Sequence, residues 1–169
     1  PDDEFEQILI SYGYDNILDD SVNTSSIDTI TIFSHWYIDG VADLTGIEDF
    51  VALEVLSISC LDIYPYGFGL LDNIDLSSNI NLTFLNISGH PLTSLDLSNN
   101  IYLETLIVEG LDNQITSLDL TNITNLETLY LSGPLLTVID LSSNINLSSL
   151  TLRDCFFNSI DLTNNISLT

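Results

Sequence analysis

Apolar residues recur along this chain with a fixed stride. The pattern Ile/Leu-Asp-Leu-Ser/Thr occurs five times, as Ile74-Asp75-Leu76-Ser77, Leu95-Asp96-Leu97-Ser98, Leu118-Asp119-Leu120-Thr121, Ile139-Asp140-Leu141-Ser142 and Ile160-Asp161-Leu162-Thr163. The aspartates are 21, 23, 21 and 21 residues apart. Each unit also holds a second apolar triplet: over 82–102, Leu82, Leu85 and Ile87 precede Leu92, Leu95 and Leu97, and later units start at Leu103, Leu126 and Leu147. In L-x-L the two leucines point to one side and the middle residue to the other. One such coil cannot bury its leucines alone, but stacked coils share a continuous core. Two triplets per unit predict two short parallel strands per coil. The segments between them are too short for ordinary helices. The expectation is a narrow, two-sheeted, right-handed solenoid.

The string Leu92-Thr-Ser-Leu95-Asp-Leu97-Ser-Asn-Asn100 resembles the L-x-x-L-x-L-x-x-N segment of leucine-rich repeats. Asn79, Asn100, Asn144 and Asn165 fall in that family's inward asparagine column, which Ile123 interrupts. The doubled motif is similar to the short 21-residue bacterial class. Asp43-Leu44-Thr45-Gly46-Ile47-Glu48 resembles the irregular first repeats of internalin-like secreted or surface proteins. The resemblance spans about residues 27–169. It implies a leucine-rich-repeat solenoid of short parallel β-strands, two per coil, with a small N-terminal helical cap. Its implied role is non-catalytic recognition or adhesion outside the cell.

The ends fit this reading. Residues 2–12 read as a helix capped by Asp2 or Asp3, with Phe5, Ile8, Leu9 and Tyr12 on one face and Gly13 at the C-terminus. Residues 13–26 read as a polar loop. The organisation expected is a cap helix and loop over 1–26, an irregular first repeat over 27–52, and repeats over 53–169. The chain opens at Pro1, as a mature or trimmed chain would, and stops as a new repeat begins, which suggests further repeats beyond Thr169.

Charge narrows the function classes. Asp and Glu number 25 against one Arg and no Lys, for a formal net charge of -24. Such a surface repels nucleic acid and anionic membranes, and no run of 18 or more apolar residues offers a membrane span. No G-x-S-x-G, C-x-x-C, H-E-x-x-H or phosphate-cradling motif is present, so an enzyme is not expected. Cys60 and Cys155 follow strands four coils apart, about 19 Å at about 4.8 Å per coil, too far for a disulfide. His35 is placed in an irregular early turn and His90 in a surface turn.

Two sets of residues are candidates for binding. Asp75, Asp96, Asp119, Asp140 and Asp161 should stack as a ladder, with Ser77, Ser98, Thr121, Ser142 and Thr163 beside them. Mutual repulsion should raise their pKa values, and a hard cation such as calcium is a conceivable ligand. A neighbouring row, Thr93, Thr116 and Thr137, is conceivable for ice binding. The second set is apolar. Phe84, Ile107 and Tyr130 occupy outward strand positions, and an adjacent edge carries Ile63-Tyr64-Pro65-Tyr66-Gly67-Phe68-Gly69, His90-Pro91, Leu111, Pro134-Leu135 and Phe156. Aromatic anchors of this kind suit a protein or glycan ligand, Tyr64, Tyr66 and Phe68 being the exposed platform. A structural spacer in a larger surface protein would need neither set.

Overall fold

The computed structural model describes residues 2–36, 38, 40–60, 69–110, 112–133 and 135–169. Six strands, β1 (Ile32–Trp36), β2 (Val55–Ser59), β3 (Phe84–Ser88), β4 (Thr105–Glu109), β5 (Thr128–Ser132) and β6 (Ser149–Arg153), form one parallel sheet in chain order. Neighbours pair in phase, so Phe33, Leu56, Leu85, Leu106, Leu129 and Leu150 make one rung. The inward leucines and isoleucines merge into a single core that runs through the coils, with Leu56, Leu85, Leu106 and Leu129 fully buried. The protein is a leucine-rich-repeat-like β-solenoid with a small N-terminal helical cap.

The expected second strand per coil is not seen among the described residues. The Ile/Leu-Asp-Leu triplets line the core with their apolar residues, Leu76, Leu97, Leu120 and Leu141 each about 1% exposed. They form no ladder. The aspartate supplies the reason: its Oδ1 accepts the amide of the Ser or Thr two residues on, for example Ser77 N–H to Asp75 at 2.9 Å. That amide is turned back on its own coil and bends the chain into the next corner.

The corner is built by the asparagine column. Asn100 is buried and donates its side-chain amide to the carbonyls of Leu76 (3.1 Å) and Asn79 (2.9 Å) of the preceding coil. Asn144 and Asn165 repeat this with Leu120 and Ile123, and with Leu141 and Asn144. A corner carbonyl buried without a donor would cost about 1–3 kcal/mol, so the column holds successive coils in register.

Helix α1 (Asp3–Ser11) closes the first coil. Asp2 caps it by accepting from Glu4 and Phe5, and its other carboxylate oxygen accepts the Ala42 amide at 2.9 Å, tying cap to first repeat. Phe5 and Leu9 are fully buried, and Phe5 packs edge-on against Phe33 with centroids 6.0 Å apart. Glu6 is buried too, where its carboxylate accepts the amides of Asp19 (2.7 Å) and Asp20 (2.9 Å) and pins the loop after the helix. Gly13, at φ 77°, ends the helix in the left-handed turn that glycine favours.

Candidate functional site

The outer face of the sheet carries two exposed apolar side chains, Ile32 and Trp36, and four half-buried ones, Val55, Phe84, Ile107 and Tyr130. Strand alternation leaves three outward rows. The first runs Ile32, Val55, Phe84, Thr105, Thr128, Ser149; the second runs Ser34, Ser57, Asn86, Ile107, Tyr130, Thr151; the third runs Trp36, Ser59, Ser88, Glu109, Ser132, Arg153. Phe84, Ile107 and Tyr130 therefore do not form a single column. Phe84 sits opposite Thr105, one row away from Ile107, and Ile107 sits opposite Tyr130. Diagonal neighbours on a sheet remain in reach of long side chains. A stripe thus crosses the face obliquely from Ile32 through Val55 and Phe84 to Ile107 and Tyr130.

One end of the stripe carries polar anchors. The chain's single Arg, Arg153, lies over the Tyr130 ring at 6.0 Å from its centroid, a cation–π arrangement. The Tyr130 hydroxyl reaches Glu109 Oε1 at 3.4 Å. At the other end, Ile32 is 59% exposed and Trp36, the only tryptophan, is 69% exposed. Between them lies a hydrogen-bonded patch, where Asn86 donates to Ser57 Oγ (3.2 Å) and Ser88 donates to Asn86 Oδ1 (2.6 Å). Trp36 and Ile32 escape sequence reading because β1 belongs to the irregular first repeat. Only its alignment with later strands shows that they point outward.

The aromatic edge is changed in part. Phe156 is 61% exposed and Leu135 is exposed, in keeping with an open edge. His90 is 1% exposed, which corrects its placement on a surface turn: its imidazole lies inward, packed where a Cβ on Gly69 would collide with it. Tyr64, Tyr66, Phe68, Leu111 and Pro134 lie outside the described residues. His35 is not in a turn either. It belongs to β1, half-buried, where Tyr12 O–H lies 3.1 Å from its Nδ1 and also donates to the Ser34 carbonyl at 2.9 Å. Burial lowers the His35 pKa. Cys155 has a free thiol, so it is not joined to Cys60, which is buried.

The aspartate ladder is a built feature of another kind. Asp75, Asp96, Asp119, Asp140 and Asp161 each accept the amide two residues on at 2.9 Å. The pKa values are lowered, the reverse of what repulsion alone predicts. Hydroxyl bonds from Ser77, Thr121 and Ser142 dominate at Asp75, Asp119 and Asp140, with the amide bonds second. At Asp96 and Asp161 the amide bond leads and the hydroxyl comes second. Repulsion acts at Asp96 from Asp75 and Asp119, but these bonds outweigh it. Asp43 has the same bond set with Thr45, at 2.8 Å to the amide and 2.7 Å to the hydroxyl, and so begins the ladder in the first repeat. The Asp43-Leu44-Thr45 string carried that signal. With one carboxylate per coil already engaged by its own turn, the ladder does not converge on a cation. Among the described residues, no three His, Cys, Asp or Glu side chains are placed to hold a metal ion. In the threonine row the Thr93 hydroxyl donates to the Asp72 carbonyl at 3.1 Å, and Thr116 and Thr137 are exposed.

No family model and no curated protein matches this chain. Solved structures do. An internalin (inlF) from Listeria monocytogenes superposes with a TM-score of 0.75 at 23% identity, covering 99% of this chain and 48% of that one. An internalin C2 from the same organism matches at 22% identity, over 99% of this chain and 91% of that chain, with a TM-score of 0.46. The chain spans about half the length of the first of these. At such identity the likeness is one of fold.

Proposed function

We propose that this chain is a non-catalytic recognition module, acting outside the cell or at its surface, that binds a protein or glycan ligand through the outer face of its sheet. The observation that supports this is the oblique apolar stripe, exposed at Ile32 and half-buried at Val55, Phe84, Ile107 and Tyr130, together with the exposed Trp36. Large apolar side chains turned to water on a β face serve the fold poorly. Trp, Tyr and Arg are the residue types that dominate binding energy at interfaces. The similarity in fold to an internalin supports the same reading. The strongly acidic surface favours a basic or neutral ligand over an anionic one.

The test is a binding panel of immobilised surface proteins and glycans, probed with the wild type, with Trp36→Ala, Ile32→Ser and Tyr130→Ala singly, and with all three combined. A ligand held on this face should lose on the order of tenfold or more in affinity with Trp36→Ala or Tyr130→Ala. Ligands that bind the triple variant as tightly as the wild type would place recognition elsewhere. Failure of the whole panel would favour a spacer.

A further inference from the structure

A second surface lies along one corner of the solenoid, away from the sheet face. Each coil closes with a reverse turn in which a leucine amide donates back three residues: Leu53 to Phe50, Leu82 to Asn79, Leu103 to Asn100, Leu126 to Ile123, Leu147 to Asn144 and Leu168 to Asn165, at 3.0 to 3.3 Å. The second residue of each turn stacks on its counterpart in the next coil. These residues are Val51, Ile80, Ile101, Thr124, Ile145 and Ile166. Asn81 donates its side-chain amide to the Val51 carbonyl and Asn146 to the Thr124 carbonyl, tying successive turns together. The five aliphatic members are 51%, 49%, 43%, 55% and 89% exposed in chain order.

The fold does not require aliphatic residues here. Exposed turn positions normally take Pro, Asn, Asp or Ser, and Thr124 closes the same turn with the same hydrogen bond. The stripe also has charged borders. Four residues before the start of the last five turns stand Asp75, Asp96, Asp119, Asp140 and Asp161; four residues after the start of three of the six turns stand Glu54, Glu104 and Glu127, all exposed. An apolar row between two carboxylate rows on a chain of charge -24 repels a second copy of itself and any anionic surface.

We infer that this corner is a docking surface for a basic amphipathic helix, its apolar side lying on the Val51–Ile166 row and its Lys or Arg residues reaching the Asp and Glu rows on either side. The spacing suits that occupant. Coils stack about 4.8 Å apart and a helix advances 5.4 Å per turn, so one helical turn lies against about one coil. Five coil steps make a stripe about 24 Å long, the length of about 16 helical residues. An extended strand, repeating same-face side chains at about 6.7 Å, falls out of step within two coils.

The experiment measures fluorescence anisotropy of a dye-labelled helical peptide with leucines at i, i+4, i+7 and i+11 and lysines flanking them. A scrambled peptide of the same composition is the control for charge alone. The patterned peptide should bind about tenfold more tightly than the scrambled one, and the Ile80→Asn, Ile101→Asn double variant should abolish that preference. Trp36→Ala should leave it intact, separating this surface from the sheet face. If the double variant melts at a lower temperature, Ile80→Thr with Ile101→Thr copies the turn at Thr124 and is read in its place. Equal binding of the two peptides, or a preference that survives both double variants, overturns the inference.

Discussion

At the scale of single residues, buried polar groups carry more of the fold than their number suggests. Glu6 is the clearest case, a fully buried carboxylate whose partners are two loop amides. Glu6→Ala should cost about 2–3 kcal/mol and free the loop after α1, checked by thermal melting and by faster exchange of the Asp19 and Asp20 amides. Asn100→Ala should likewise destabilise by about 2–3 kcal/mol, since two corner carbonyls lose a donor. Acid should act in two stages. His35 is lowered from 6.5 by burial, so its neutral form is the one the fold favours; stability is full above that value and falls as pH drops through the lower folded one. The ladder aspartates are lowered from 3.8 by hydrogen bonds, so their contribution is full above 3.8 and is lost as pH falls through their lower folded values. Melting temperature measured from pH 7 downward should show both limbs, and His35→Gln should remove the first. The asparagine column could be read from the sequence because it repeats. The role of Glu6 could not, because its partners lie 13 and 14 residues away in an irregular loop.

At the scale of elements, the difference between the two apolar triplets decides the sheet. Both read L-x-x-L-x-L, and alternation alone gives each an equal claim to be a strand. The local turn chemistry separates them. In one, the Asp-x-Ser/Thr turn takes the amide that a ladder would need; in the other, as in β3, the strand runs on to Ser88 and then turns at Gly89. Gly89 holds φ 78°, and a Cβ there would strike the Cys60 carbonyl of the coil before. Gly89→Ala should therefore destabilise by more than the roughly 1 kcal/mol of an ordinary glycine effect, visible as a lowered denaturation midpoint with unchanged slope. Register explains the rest of what the sequence hid. That Phe84, Ile107 and Tyr130 point outward is a consequence of period two. That they run obliquely depends on which residue pairs with which, and the two added residues between Asp96 and Asp119 obscure that alignment.

At the scale of the whole molecule, a formal charge of -24 is carried on a narrow stack of coils, with carboxylates in register along two rows. Self-repulsion of this kind is screened by salt. Adding sodium chloride should raise the melting temperature, and calcium at matched ionic strength should raise it no further, because among the described residues no three carboxylates converge on one point. The proposed function assigns recognition to the apolar features of the sheet face. Trp36, being the only tryptophan and exposed on that face, reports on it directly. The decisive measurement is Trp36 emission during titration with a ligand whose binding is independently measured by calorimetry. A ligand seated on the sheet face should give a blue shift or quench that saturates at the calorimetric midpoint, with affinity lost in Tyr130→Ala. A ligand that binds by calorimetry while Trp36 emission stays unchanged, and that binds Tyr130→Ala equally well, would contradict the assignment of recognition to the sheet face.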